Sequence, residues 1–297
     1  GTWQHDQVIE TERFENYAGP VKPKIDGVTY KIYQQQTTQY QDLLADQLDV
    51  VQQIPLESMG SVKADLGGRF KQSPASTIQF LSFPTFDRHY SKVQIRKAIS
   101  MAIDRDEIIK TIFLDSQKSL RAFVSPVVPG YREGSCGESC EFKPAEAKAL
   151  FEAAGGAAAV GGKIELAYNV DGGHKPWIDA TCNQIKKNLG VDCVPNPQPK
   201  FAELLTKVEN KQPVGAFRMG WIFDYPAMEN YLAPLYSTNG SSNYYGYSNK
   251  EFDALVQAGD RAATPEEATK FYQQAEDILA RDLPVIPLRY GQNNFGH

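Results

Sequence analysis

The segment Arg218-Met219-Gly220-Trp221-Ile222-Phe223-Asp224-Tyr225 is where residue types and spacing could do chemistry. Ala216, Phe217 and Met219 are apolar and flank Arg218, so residues 214–219 are expected to form a buried strand. Gly220-Trp221 then leads into a loop where Asp224 stands between Phe223 and Tyr225. A carboxylate among rings at a strand's carboxyl end suits capture of a cationic group. Rings that exclude water leave a charge pair less screened, and they offer cation–π contact. A core strand ending in a solvated loop acid is the plainer reading of the same residues.

Other candidates are sparse. His5, His89, His174 and His297 show no H-E-x-x-H or H-x-x-x-H spacing, and there is no G-x-S-x-G elbow or Walker loop. His174, in Gly172-Gly173-His174-Lys175, could act as a general base or simply hydrogen-bond its neighbours. Nothing assembles nucleophile, base and orienter, which favours binding over catalysis. The four cysteines fall in two groups, Cys136/Cys140 and Cys182/Cys193. Of the three possible pairings, proximity in sequence favours 136–140 with 182–193. A four-cysteine zinc site is the rival, but C-x3-C with C-x10-C is not a ribbon or finger spacing. Local disulfides would imply an oxidising compartment.

Composition sets further bounds. The 297 residues suffice for one large or two ordinary domains. The net charge of −5 argues against nucleic acid as a partner, because phosphate binding needs a basic footprint. No run approaches the roughly 20 apolar residues of a membrane span, and no signal peptide opens the sequence.

Several elements must position the candidate segment. Strands are expected at 6–14, 28–33, 48–51 and 77–83, with a helix at 37–47. Two helical pieces fill 92–113, the second capped by Asp104 with Glu107 closing a capping box. Residues 115–143 read as a loop that is functional or wraps another part of the fold. Pro144 opens a helix that Gly155-Gly156 stops. A β-α-β-α-β run follows: strand 163–169, helix 175–189, strand 190–194, helix 200–210 and strand 214–219. Such strands should be parallel with right-handed crossovers. Ligands of open α/β sheets lie beyond the carboxyl ends of the strands. The loop 171–174 and the loop 221–225 are therefore expected on one rim. Residues 228–247, dense in Tyr, Asn, Ser and Gly, have the composition of an adaptable recognition surface. Helices starting at Ser248 and Thr264 and a strand at 284–290 complete the reading. The two prolines of that strand make it an edge or a crossover between domains.

Together these residues resemble a family, the extracellular solute-binding proteins of peptide-type (dipeptide and oligopeptide) ABC importers, family 5. Val93-Gln94-Ile95-Arg96-Lys97-Ala98-Ile99-Ser100-Met101-Ala102-Ile103-Asp104-Arg105 resembles its R-x-A-hydrophobic-x-x-A-I-D-R helix. Arg218 to Tyr225 resembles its R-x-G-W-x-x-D ligand segment. Residues 45–50, 247–253 and 283–288 match weaker signatures in the same order.

The resemblance implies an α/β fold, a periplasmic-binding-protein-like (type II) lobe with a mixed sheet flanked by helices, plus part of a second lobe. On that reading residues 1–76 belong to a discontinuous first lobe. Residues 77–284 form the ligand-binding lobe, and 285–297 return to the first. Asp224 would pair with a ligand's α-amino group, and the backbone from Gly220 to Ile222 with an extended peptide. Trp221 and Tyr225 would line the cleft, and Arg218 would support its electrostatics or meet a ligand carboxylate. The implied partners are a small peptide or similar solute and a membrane permease, with no cofactor and no enzymatic activity. The paired cysteines and the GGHK and CGESC loops resemble actinobacterial members, usually lipid-anchored at the cell surface. Full-length members are substantially longer, so the chain is expected to be a fragment whose exposed strand edges invite self-association. The alternatives are a receptor for a metal chelate, haem or an oligosaccharide, or a secreted hydrolase using His174 with Asp171 or Asp224. A cell-surface domain that binds no small solute is a third.

Overall fold

The computed structural model describes residues 1–297. They form two compact units, Gly1–Gln72 with Asn293–His297, and Ser73–Gln292.

In the first unit β1 (Thr2–Gln4), β2 (Val8–Glu12) and β3 (Gly27–Lys31) make an antiparallel sheet in that order. Helix α1 (Gln36–Leu44) and the short α2 (Val62–Leu66) contribute to a small core of Tyr40, Leu43, Val51, Ile54, Val62 and Leu66. The strand expected at 48–51 is a single bridge, Val51 to Gly296. Asp46, at φ 54°, turns the chain just before it and leaves only a short extended run.

The second unit follows in chain order. Strand β4 (Phe70–Ser82) precedes α3 (Val93–Met101), α4 (Arg105–Ile112), β5 (Gln117–Ser119), α5 (Pro144–Ala153) and α6 (Gly156–Ala159). Next come β6 (Lys163–Asn169), α7 (Lys175–Leu189), β7 (Asp192–Gln198), α8 (Phe201–Glu209) and β8 (Ala216–Trp221). Helices α9 (Glu229–Tyr236), α10 (Lys250–Asp260) and α11 (Pro265–Asp282) and strand β9 (Val285–Gly296) close the chain. The sheet order is β5-β9-β4-β8-β6-β7. Strands β6, β7 and β8 are parallel, as helix-connected neighbours must be, whereas β4 runs antiparallel to β8. The sheet is therefore mixed. The α7 helix presents Trp177, Ile178, Cys182, Ile185 and Leu189 to one core. Strand β7 runs on to Gln198 through Pro195 and Pro197, tolerated because it is the sheet edge. Strand β9 is not an edge: it lies between β5 and β4, and its residues divide between the two units.

The helix pair α3–α4 carries two buried arginines that donate to backbone carbonyls. Arg96 reaches Tyr90 O at 2.6 Å and Leu283 O at 2.8 Å. Arg105 reaches Pro287 O at 2.7 Å and Ser100 Oγ at 2.8 Å. Burial lowers both, to about 10 and about 9, so each stays charged at neutral pH. The R-x-A to I-D-R stretch is thereby tied to the start of β9.

Caps depart from expectation in detail. Asp104 accepts from Glu107 N–H at 3.0 Å, but its own N–H goes to Gln184 Oε1 rather than to Glu107. Gln184 Nε2 instead donates to Glu107 Oε2. The cap of α10 is Asn249, not Ser248, because its side chain reaches the N–H groups of Glu251 and Phe252. Thr264 caps α11 as expected.

The 115–143 loop wraps α11. Arg132 donates to Glu276 at 3.1 Å and Asp277 at 2.7 Å, and Phe123 N–H to Glu276 Oε1 at 3.1 Å. Residues 228–247 divide between a groove wall, to which Glu229, Asn230 and residues 237–241 contribute, and the core. They contain α9, and Tyr231, Tyr236 and Tyr245 are wholly buried. Tyr231 packs edge-on against Phe223 and Tyr236 against Phe123 and Phe252, with Tyr245 tilted against Tyr236, so apolar contact accounts for the density of these tyrosines.

Both disulfides join the expected partners, Cys136–Cys140 and Cys182–Cys193. All four sulfurs are thus engaged, which removes the zinc reading.

Candidate functional site

Strand β8 sits between β4 and β6 and carries the candidate segment to one rim. Ala216, Phe217, Arg218 and Met219 are buried, and Gly220 and Trp221 half-buried. Gly220 lies opposite Gln79 of β4. A Cβ there would fall 2.4 Å from Gln79 Nε2 and 2.9 Å from Ile78 O, so only glycine fits without rearrangement. The ladder with β4 runs on to the Ile78–Trp221 pair, while that with β6 stops at Ala167–Phe217. The side of β8 facing away from β4 is therefore outside the ladder from Arg218 onward.

Beyond the strand, Asn230 of α9 organises the loop. It is 5% exposed, and its Oδ1 accepts from Asp224 N–H at 2.9 Å and Trp221 Nε1 at 3.4 Å. Its Nδ2 donates to Asp224 Oδ2 at 3.4 Å. Phe223 anchors the loop edge-on against Tyr231. The Asp224 carboxylate is exposed and makes no ion pair with a lysine or arginine. Tyr225 is 49% exposed and donates to Glu229, and Ile222 is 61% exposed. The exclusion of water by flanking rings, expected from the sequence, is thus not built into this rim. Asp224, Trp221, Tyr225 and Asn230 line an open groove of about 620 Å³ that also holds Glu229, Asp253 and Asp260. No lysine or arginine lines it.

Arg218 belongs to a second corner of the same rim. Its Nε donates to Asn169 Oδ1 at 2.7 Å, and its guanidinium lies 5.1 Å from the Phe201 ring centre. Burial lowers it to about 10, partly offset by Asp171. The 171–174 loop is beside it, as parallel strands require. Asn169 Nδ2 donates to Asp171 Oδ1 at 2.5 Å, and Phe201 N–H to Asp171 Oδ2 at 3.3 Å. These bonds, the Asn169 amide foremost, hold Asp171 below the usual carboxylate range.

His174 is not a rim base. It is 8% exposed, and its Nδ1 accepts from Trp177 Nε1 at 3.2 Å. Burial first, then Arg218 and Arg289, push it down to about 3, so it is neutral at physiological pH. Asp171 is likewise taken up by the loop's own donors, so His174 and Asp171 are not paired with each other.

Arg289 escaped the sequence reading. It sits on β9 between Phe113 (4.4 Å) and Trp177 (4.7 Å) and donates to Gln117 Oε1 at 2.6 Å. Burial and the charge of Arg218 lower it to about 9. An acidic groove at Asp224 thus opens on the rim, while the cations Arg218 and Arg289 are buried in the same unit.

The sequence model of the family described as "Bacterial extracellular solute-binding proteins, family 5 Middle" matches residues 1–243. The chain belongs to that family. Among curated relatives, the oligopeptide-binding protein OppA of Bacillus subtilis is 27% identical over 297 residues, 97% of this chain and 54% of the relative. Heme-binding protein A of Haemophilus influenzae is 24% identical over 97% of this chain and 52% of its own length. The chain thus spans about half the length of the curated relatives it matches. Among solved structures, Haemophilus influenzae OppA in complex with RPPGFSPFR superposes with a TM-score of 0.75 at 22% identity, covering 98% of this chain and 57% of that one. That likeness establishes the fold.

The named relatives are binding proteins rather than enzymes, and the family is extracellular. No helix is long and apolar enough to cross a membrane.

Proposed function

We propose that this family 5 chain carries the ligand-binding lobe of an ABC importer's substrate-binding component, its ligand a short peptide or similar amine-bearing solute. The observation that carries the reading is the Asp224 carboxylate, fixed by Asn230, lacking any basic partner, and set beside the Trp221 ring. An ammonium group would complete that charge and meet an aromatic face. The open side of β8 from Gly220 to Ile222 would pair with an extended ligand backbone. Tyr225 would line the groove, and Arg218, with Arg289 near it, would favour a ligand carboxylate. OppA of Haemophilus influenzae was crystallised with a peptide, which supports the same ligand class here.

The lobe is assigned to residues 77–284. Delivery to a membrane permease would follow hinge closure around the ligand. Two disulfides fit an oxidising location outside the cytosol, periplasmic or at the cell surface, where a lipid anchor is the further expectation.

Native mass spectrometry of the protein purified from its own cells tests the reading, with denaturing identification of anything retained. A short peptide present in the native protein and lost from Asp224→Asn supports it. A retained tetrapyrrole, metal chelate or sugar indifferent to that change would move the function to the non-peptide members. Catalytic turnover of a peptide would make the protein a hydrolase instead, whereas stoichiometric binding without product would exclude that.

A further inference from the structure

Where β8 leaves the sheet, a side-chain hydroxyl takes over from the strand ladder. The β4–β8 pairing runs as far as Ile78 opposite Trp221. Two further antiparallel steps would set Phe223 opposite Ser76. Those steps are not taken: β8 ends at Trp221, and the Asp224 N–H goes to Asn230 rather than to β4. The phenol of Tyr231, reaching down from α9, stands at the break. It donates to Ser76 O at 2.5 Å. Ser125 Oγ, from the 115–143 loop, donates to the adjoining carbonyl, Ala75 O, at 2.8 Å. Burial raises the phenol's pKa, and the Ser125 hydroxyl and the Phe223 N–H beside its oxygen offset part of that rise. A phenol has one hydrogen to give and two lone pairs. This one can therefore serve Ser76 O with its hydrogen while its oxygen faces the Phe223 N–H. The Tyr231 ring also meets Phe223 edge-on, centroids 6.2 Å apart. Tyr231 is wholly buried, and all these groups belong to the second unit.

We infer that Tyr231 is a positioning residue for ligand capture, its hydroxyl bridging the ligand loop to β4 in place of the absent ladder bond between Phe223 and Ser76. The inference rests on the reading of Asp224 as the ligand's anchor. Asn230 and Tyr231 are neighbours on α9 with different tasks. Asn230 holds the amide and the carboxylate of Asp224 itself. Tyr231 holds the residue before it, by ring contact on one side and through the phenol oxygen on the other. The ladder does not reach Phe223, so the hydroxyl is what ties this part of the backbone to β4. A bound ammonium group pulls on the Asp224 carboxylate, and a loop that yields to that pull loses part of the contact's worth in ordering itself. A loop fixed beforehand at Phe223 and at Asp224 meets the ligand without that loss. The signal in the sequence is slight, a tyrosine beside an asparagine at the start of an apolar helix.

Titration calorimetry with trialanine and with N-acetyl-trialanine, joined to hydrogen exchange, tests the inference. Tyr231→Phe keeps the ring and its contact with Phe223 and removes only the hydroxyl. Trialanine should then bind roughly tenfold more weakly, while the weak binding of the acetylated peptide stays as it was. The Phe223 amide should exchange at least roughly threefold faster. Tyr245→Phe is the control for a merely structural loss, because it removes another wholly buried phenol, one that donates to Leu235 O of α9. It should lower the urea midpoint and leave both trialanine binding and Phe223 exchange unchanged. Asp224→Asn should abolish trialanine binding without altering Phe223 exchange, which separates failure of the anchor from failure of the bridge. If the unchanged protein binds no trialanine, the peptide reading falls and the exchange comparison alone decides the bridge. Unaltered exchange in Tyr231→Phe, unaltered affinity where trialanine binds, or an equal loss in Tyr245→Phe would overturn the inference.

Discussion

Asn230 holds Asp224 by two bonds, accepting its N–H at 2.9 Å and donating to its Oδ2 at 3.4 Å, while buried itself. The acid's position is therefore set from α9, six residues on, rather than by the rings beside it. Asn230→Ala should retain the carboxylate but lose its aim. Loss of hydrogen bonding to a charged group is worth about 1.5–3 kcal/mol, so an amine-bearing peptide should bind roughly 10- to 100-fold more weakly. Titration calorimetry with a tripeptide and with its N-acetylated form measures this. The acetylated peptide should bind weakly to the unchanged protein and be indifferent to the substitution.

Gly220→Ala probes the strand rather than the loop. Its Cβ would meet Gln79 Nε2 and the Ile78 carbonyl, and the backbone contact cannot rotate away. Overpacking of this kind costs about 1–3 kcal/mol. Urea unfolding should show a lower midpoint with an unchanged slope. Wild-type stability in that variant would mean that β4 and β8 separate more easily than their pairing implies.

The β-α-β-α-β run was legible because its apolar residues repeat with helical period between short β-rich runs. Helix α7 lies at 175–189 as its pattern requires. The rim followed from topology alone, since parallel strands end on one side. Asn230 was not legible, although an asparagine within the apolar stretch 228–236 is the signal that could have found it. Tyr231 and Tyr236 misled because tyrosine is equally at home in a core and on a surface. Arg289 was hidden for a related reason: a lone arginine in a strand reads as a solvated residue. Only tertiary contact places it between Phe113 and Trp177.

His174 should make the fold sensitive to mild acid. Its ordinary value near 6.5 is lowered to about 3 in the folded protein, chiefly by burial. A group whose folded value is depressed favours folding above its unfolded value, and that stability is lost as pH falls below it. The loss should begin near pH 6.5 and continue toward pH 3. His174→Gln keeps an acceptor for Trp177 Nε1 without a titrating imidazole. Between pH 7.5 and 5 its denaturation midpoint should fall less than that of the unchanged protein. Parallel pH profiles would show that the imidazole reaches solvent when folded.

The two disulfides should differ in weight. Cys182 and Cys193 are 11 residues apart and join α7 to β7, whereas Cys136 and Cys140 are four apart. In the chain-entropy description the longer loop contributes about 3 kcal/mol and the shorter about 2 kcal/mol. The longer link also ties the edge strand β7 to helix α7, so losing it should loosen β7 locally. The double replacement Cys182→Ala with Cys193→Ala should lower the unfolding midpoint more than Cys136→Ala with Cys140→Ala. Hydrogen exchange should place the added opening in β7. If the 136–140 pair proves the more costly, the wrap of the 115–143 loop around α11, held by Arg132 and the buried Glu276, depends on that turn more than on its own ion pair.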